Sequence, residues 1–189
     1  MLTHCGTMSI ETDRCYLRQF RFSDDADMLA NWISDPNTQS MISEPVYSTK
    51  EEVKELLSKY ISAYQKDDYY RWVVIEKASQ SAIGQVSIFL VDNKNHWGEI
   101  EYCIGSRFHR NGYASEATIA LINYGFSKVN LHKVQVCHKE SNIASKGLIL
   151  KCGFTFEGTL RDYFYMDDIY VNRCFYSILR SEWEKIHKK

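Results

Sequence analysis

The chain has 189 residues, 44% of them hydrophobic and 25% charged, with a formal net charge of -1. That length and balance suit one globular domain able to bury its own core, and near-neutrality removes any long-range pull toward nucleic acid or membrane. No apolar run approaches the roughly 20 residues of a membrane span and the N-terminus has no apolar signal core, so a cytoplasmic protein with neither kind of partner is expected. The six cysteines form no Cys-x-x-Cys pair and the histidines no His-x-x-x-His pair, so free thiols and no metal are expected.

Residues 1–8 show no packing pattern and read as a flexible leader. Residues 9–185 read as a single domain, without linker, repeat or low-complexity tract. Ile10 to Phe20 has the character of a strand. Ser23 is placed to cap a helix over Asp24 to Ser34, with Leu29, Trp32 and Ile33 on one face and Pro36 as its terminator. Ser48 and Thr49, three residues before Glu51 and Glu52, form a capping-box pattern ahead of Val53, Leu56, Leu57, Tyr60 and Tyr64 at helical spacing.

The period then changes to two. Tyr70–Lys77, Ala82–Val91 and Trp97–Ile104 read as an antiparallel meander. A helix follows from Tyr113 to about Lys128, striped by Ala117, Ala120, Leu121 and Tyr124. Lys133–His138 reads as a fifth strand and Asn142–Lys151 as a short helix closed by Gly153. Phe154–Tyr165 and Tyr170–Leu179 make the last strand pair, joined at Met166-Asp167-Asp168. Strand, two helices, three strands and then strand–helix units predict a mixed α+β sheet.

The run Phe108-His109-Arg110-Asn111-Gly112-Tyr113-Ala114-Ser115 joins the fourth strand to the third helix. Gly112 removes a side chain where a ligand could lie against backbone. A helix start leaves N–H groups unpaired and carries the positive end of the helix dipole. Arg110 adds a fixed charge. Strand, basic glycine turn and helix N-terminus together describe a seat for a phosphate-bearing cofactor, although Gly112 in a plain turn would look the same locally.

His109-Arg110-Asn111-Gly112-Tyr113-Ala114 resembles the Gln/Arg-x-x-Gly-x-Gly/Ala signature of the GNAT superfamily of acyl-CoA-dependent N-acetyltransferases, with His109 the one departure. Tyr113-Ala114-Ser115-Glu116-Ala117, Asn142-Ile143-Ala144-Ser145, Cys152-Gly153-Phe154, Glu157-Gly158-Thr159-Leu160-Arg161 and the ending from Tyr176 to Trp183 are similar to the RimJ/RimL-type branch, which includes ribosomal-protein alanine acetyltransferases. The resemblance covers nearly the whole chain. It implies a mixed, mostly antiparallel seven-stranded sheet splayed between strands four and five, about four helices, and acetyl-CoA in the gap. It further implies direct acetyl transfer to a primary amine, either a protein N-terminus or a small molecule. A homodimer is compatible with it.

The resemblance assigns four tasks. Backbone N–H groups of Asn111, Gly112, Tyr113 and Ala114, with Arg110, would clasp the pyrophosphate. The backbone of Tyr102, Cys103 and Ile104 would pair with the pantetheine arm as an added strand, and Asn142 would hold that arm, unless it serves only as a helix cap. Amides near Cys103 and Ile104 would meet the developing oxyanion. A carboxylate raised by burial would take the proton from the amine, and Glu99 and Glu101, two apart on one strand, are the candidates. The acid is least determined, because Ile149 occupies the position of the tyrosine many such enzymes use. Ser145, His138 or no acid at all remain open. Cys103 and Cys137 read as core thiols. Tyr47, Tyr69, Tyr70, Trp97, Tyr163 and Tyr165 are candidate walls of the acceptor pocket, and Asp167 and Asp168 a candidate attraction for a cationic amine. The competing class is a CoA-binding regulatory module that has lost its chemistry; a nucleotide-binding module finds no P-loop to support it.

Overall fold

A computed structural model describes residues 1–166 and 168–187, with His187 described by its backbone alone. Eight strands form one sheet in the order β1-β2-β3-β4-β5-β6-β8-β7. They are β1 (Ile10–Glu11), β2 (Cys15–Arg18), β3 (Tyr70–Glu76), β4 (Ala82–Asp92), β5 (Trp97–Ile104), β6 (Lys133–Lys139), β7 (Thr155–Met166) and β8 (Ile169–Leu179). Every neighbouring pair is antiparallel except β5 and β6. The fold is therefore the mixed α/β sheet expected, with one more strand. Ile10–Phe20 does not run straight: it reverses after Glu11, where the Thr12 N–H donates to the Cys15 carbonyl at 2.9 Å.

Six helices are described rather than four: α1 (Asp25–Met28), α2 (Pro36–Ile42), α3 (Lys50–Ala63), α4 (Tyr113–Ser127), α5 (Ile143–Lys151) and α6 (Arg180–His187). Pro36 was expected to end a helix and instead begins one. Its missing N–H costs nothing at the first position, and Asp35 caps the start by accepting from the Asn37 N–H. Ser23 does not cap α1. It lies within a 3-10 turn, Phe22–Asp24, while α1 continues into a π-helical turn, Leu29–Ile33. Before α3 the predicted box is present, with Thr49 and Glu52 each accepting from the other's N–H.

Residues 1–8, expected as a loose leader, lie along the body of the domain. The Thr7 hydroxyl donates to the Tyr69 carbonyl, the Trp72 indole to the Met8 carbonyl, and the Tyr124 hydroxyl to the Gly6 carbonyl. These are partners distant in sequence, so no local pattern announces them.

The two faces of the sheet bury two cores. One joins Trp72, Val86, Ile100, Ile104, Leu121, Val136 and Ile149, taking in α4, α5 and α6. The other joins Met28, Trp32, Val53, Leu57, Val73, Ile75 and Cys103, taking in α1 and α3. Alternation along β5 thus sends Tyr102 toward α4 and α5, and Glu99, Glu101 and Cys103 toward α1–α3.

The sheet forks between β5 and β6. They pair only over Trp97–Lys133, Gly98–Val134 and Glu99–Gln135. Beyond that point Ile100–Ile104 pairs with β4 alone and Val136–Lys139 with β8 alone. On the other side of β5 the register slips at Phe89, between Ile88–Ile100 and Leu90–Glu99. A bulge bends and twists its strand, and this one stands beside the place where the ladder opens.

The far end of the β5 arm is held by close approach at Gly105, where a Cβ would come within 2.1 Å of the Asn31 carbonyl oxygen. Asn31 in turn donates to the Ala82 carbonyl at 2.7 Å. Gly105→Ala is expected to cost about 2 kcal/mol by overpacking and to lower Tm by about 4–8 °C, measured by thermal denaturation; an unchanged Tm would show that this contact does not anchor the arm.

Candidate active site

The fork opens into a cleft of about 1440 Å³ whose walls come from α2, β5, the turn before α4, β6, α5 and β8. Of the candidates for holding a cofactor, Tyr102, Cys103, Ile104, Arg110, Gly112, Tyr113, Ala114 and Asn142 line it, while Asn111 does not. Gly112 is the N-cap of α4 at φ 84°, a left-handed conformation natural to glycine. Among the described residues, no protein group accepts from the backbone N–H groups of residues 110–115. The turn is therefore open to a ligand. Arg110 is exposed and lines the same cleft.

The turn is held from behind. Arg14, in the β1–β2 hairpin, donates to the Asn111 carbonyl at 2.7 Å and to Glu116 at 2.7 Å, and packs over the Tyr113 ring. The Tyr113 hydroxyl donates to Glu76. His109 donates from Nε2 to the Ile104 carbonyl at 2.7 Å, tying the turn to the end of β5; the carbonyl can only accept, so Nε2 carries the proton.

Ladder alternation sorts the amides of β5. The Gly105 N–H donates to the Ile83 carbonyl, so the N–H groups of Cys103 and Glu101 also face β4, and those of Ile100, Tyr102 and Ile104 face the fork. Of the residues expected to polarise a carbonyl, Ile104 is thus oriented for it and Cys103 is not. Asn142 caps α5 by accepting from the Ser145 N–H at 3.0 Å. Its side-chain amide donors have no partner among the described residues and border the cleft. Ser145 shares a 2.5 Å hydrogen bond with the Tyr102 hydroxyl, which reaches across the fork. Burial pushes the Tyr102 hydroxyl above its ordinary range, so this phenol stays protonated and able to donate. Ile149 is wholly buried in the core.

The two carboxylates differ. Glu99 is 2% exposed and committed: it accepts from Arg173 of β8 and from Gln135 of β6. Glu101 lines the cleft with a looser neighbour, Arg71 of β3, at 4.0 Å. Burial raises the Glu101 carboxyl above the usual range, Arg71 opposes the shift, and Glu44 and Glu99 add to it. Burial and the charge of Glu99 push the Cys137 thiol up to about 12, and burial raises Cys103 further. Both thiols stay protonated at neutral pH and are poor nucleophiles.

His138 lines the cleft and is engaged at both ring nitrogens. Its Nδ1 donates to the Lys139 carbonyl at 2.7 Å and its other nitrogen faces the Tyr176 hydroxyl. Of the expected aromatic walls, none of Tyr47, Tyr69, Tyr70, Trp97, Tyr163 and Tyr165 lines the cleft. Phe89, Tyr102, Phe108, Tyr113 and Phe164 do. Asp167 lies outside the described residues, and Asp168 accepts from the Tyr165 hydroxyl. Three features escaped the sequence: α2, the half-buried cation Arg173, and Lys139, whose ammonium donates to the Ser40 carbonyl across the cleft. The available signals were Pro36 as a possible first helical residue and an arginine on the inward period of a strand.

Residues 14–155 match the Acetyltransferase (GNAT) domain family. The chain belongs to the GNAT acetyltransferases. It is 30% identical to the uncharacterized N-acetyltransferase YoaA of Bacillus subtilis, covering 90% of this chain and 96% of that one. It is 33% identical over 104 residues to the putative ribosomal N-acetyltransferase YdaF of the same organism, covering 55% and 57%. The structure of spermidine N-acetyltransferase from Vibrio cholerae in complex with CoA and spermine superposes with a TM-score of 0.77 at 25% identity, over 90% of this chain and 98% of that one.

A GNAT enzyme uses acetyl-CoA, and the free amides at Gly112 together with the unpaired edge of β5 fit a pyrophosphate and an extended amide-bearing arm. No group of three or more potential metal ligands occurs among the described residues. Gly112→Asp would place a negative charge beside the open amides of this turn and force a carboxylate residue into a left-handed backbone. CoA affinity by calorimetry should fall at least tenfold, about 1.4 kcal/mol; unchanged affinity would remove the clasp from this turn.

Proposed function

We propose that this GNAT acyltransferase moves acetyl directly from acetyl-CoA to a primary amine, with Glu101 as the base. The observation that carries the assignment is the inequality of the two carboxylates. Glu99 is held by two donors, whereas Glu101 is half-buried, raised in pKa and open to the cleft. An ammonium has no lone pair, so a proton must leave before attack, and a carboxylate with a raised pKa accepts it best near neutral pH. Bound acetyl-CoA supplies the thioester carbonyl. In this reading Asn111–Ala114 and Arg110 hold its pyrophosphate, Tyr102, Ile104 and Asn142 its pantetheine arm, and the Ile104 N–H faces the carbonyl oxygen. The Tyr102–Ser145 hydroxyl pair occupies the side of the fork toward α5 and supplies the proton source that Ile149 cannot. This pair answers the alternative of a silent CoA-binding module, whose main support was that isoleucine.

The acceptor end is balanced in charge. Glu99 meets Arg173, Glu101 faces Arg71, and Lys139 borders the same space, with the charge of Glu44 acting on Glu101. A polyamine would need surplus carboxylates, so this arrangement favours an amine with a single positive charge, such as a protein N-terminus, as in the RimJ/RimL-type branch. The six free thiols and the use of acetyl-CoA fit a cytoplasmic enzyme.

Glu101→Gln should lower kcat/KM about a hundredfold or more and flatten the acidic limb of its pH profile. A limb that persists unchanged in that variant would exclude Glu101 as the base. In an acetyl-CoA consumption screen, N-terminal peptides and monoamines should turn over faster than spermidine; faster spermidine turnover would refute the charge argument.

A further inference from the structure

Arg173 is the half-buried cation of β8, and its setting is specific. It lies on the strand that flanks β6, and its side chain passes the fork to reach Glu99 of β5. Its guanidinium also donates to the Tyr163 hydroxyl at 2.7 Å and packs against the rings of Tyr163, Phe164 and Phe175. Gln135 completes the coordination of Glu99 from β6 at 2.8 Å. The contact therefore joins β5, β6 and β8 where the ladder between the first two stops.

We infer that Arg173 is a positioning residue of the transfer reaction: it commits Glu99 to a neutral pair at the fork, leaving Glu101 as the carboxylate free to meet the amine. This rests on the reading of Glu101 as the base. Two carboxylates at alternate positions of one strand share a face, and an unpaired Glu99 would oppose ionisation of its neighbour. The guanidinium opposes that repulsion without giving up a proton, because arginine stays charged at any working pH. The groups facing Glu101 are Arg71 from β3, Glu44 from the segment after α2, Tyr60 from α3, and Glu99 and Cys103 on its own strand. Cys137 of β6 sits against the Glu99–Arg173 pair.

The test is the acidic limb of kcat/KM in Glu99→Gln and in the double variant Glu99→Gln/Arg173→Met. Glutamine keeps the shape of Glu99 and leaves Arg173 as an uncompensated cation, which favours the Glu101 carboxylate. The limb should move to lower pH by about one unit, with turnover retained. The double variant carries no charge at the fork, as the native pair carries none in sum, so its limb should return to the native position. Loss of turnover at every pH in a folded Glu99→Gln enzyme would make Glu99 the base and overturn the inference, and so would an unmoved limb. A limb that survives in Glu101→Gln would instead defeat the underlying assignment of the base, which keeps the two failures apart.

Discussion

The constraint on which the rest depends is the loss of pairing between β5 and β6 after Glu99 and Gln135. Two strands held side by side for three residues and then parted expose two facing backbone edges in the interior of a sheet. Unsatisfied backbone groups are costly when buried, so an open ladder of this kind persists only where solvent or a ligand reaches it. The cleft does so here. Its location also decides which elements contribute: α4 delivers its N-terminus at one end, α2 and β8 close the other, and α5 stands across the gap.

Around that opening the protein arranges a set of hydrogen-bonded supports. The turn before α4 is braced by the side chains of Arg14, Glu116, Tyr113 and Glu76. His109 ties the same turn to the last carbonyl of β5. The fork itself is bridged on both faces: by Tyr102 and Ser145 toward α5, and by Glu99, Gln135 and Arg173 on the other. Preorganised donors of this kind avoid reorganisation at the moment of reaction, which is where electrostatic catalysis gains most.

Much of this was legible in the residues. The meander, the helix after Gly112, the helix capped by Asn142 and the last strand pair follow from periodicity and capping chemistry, because local rules govern them. The signature turn was legible for the same reason. What escaped reading depends on contacts between distant positions. Arg173 and Glu99 lie 74 residues apart, and nothing in either neighbourhood announces the other. Gly6, Thr7 and Met8 bond to Tyr124, Tyr69 and Trp72, and Pro36 stops one helix while starting another, a choice local rules leave open. Sequence placed Glu99 and Glu101 as equals; only burial and partners separate them.

The turn at Gly112 and the parted edge of β5 are proposed to form one CoA-binding surface. Amide hydrogen exchange with and without CoA tests it most directly, since the relevant groups are backbone N–H. Addition of CoA should slow exchange across residues 110–115 and at Tyr102 and Ile104, while Cys103, bonded toward β4, stays unchanged. Protection confined to other elements, with these amides exchanging as fast as before, would contradict the account.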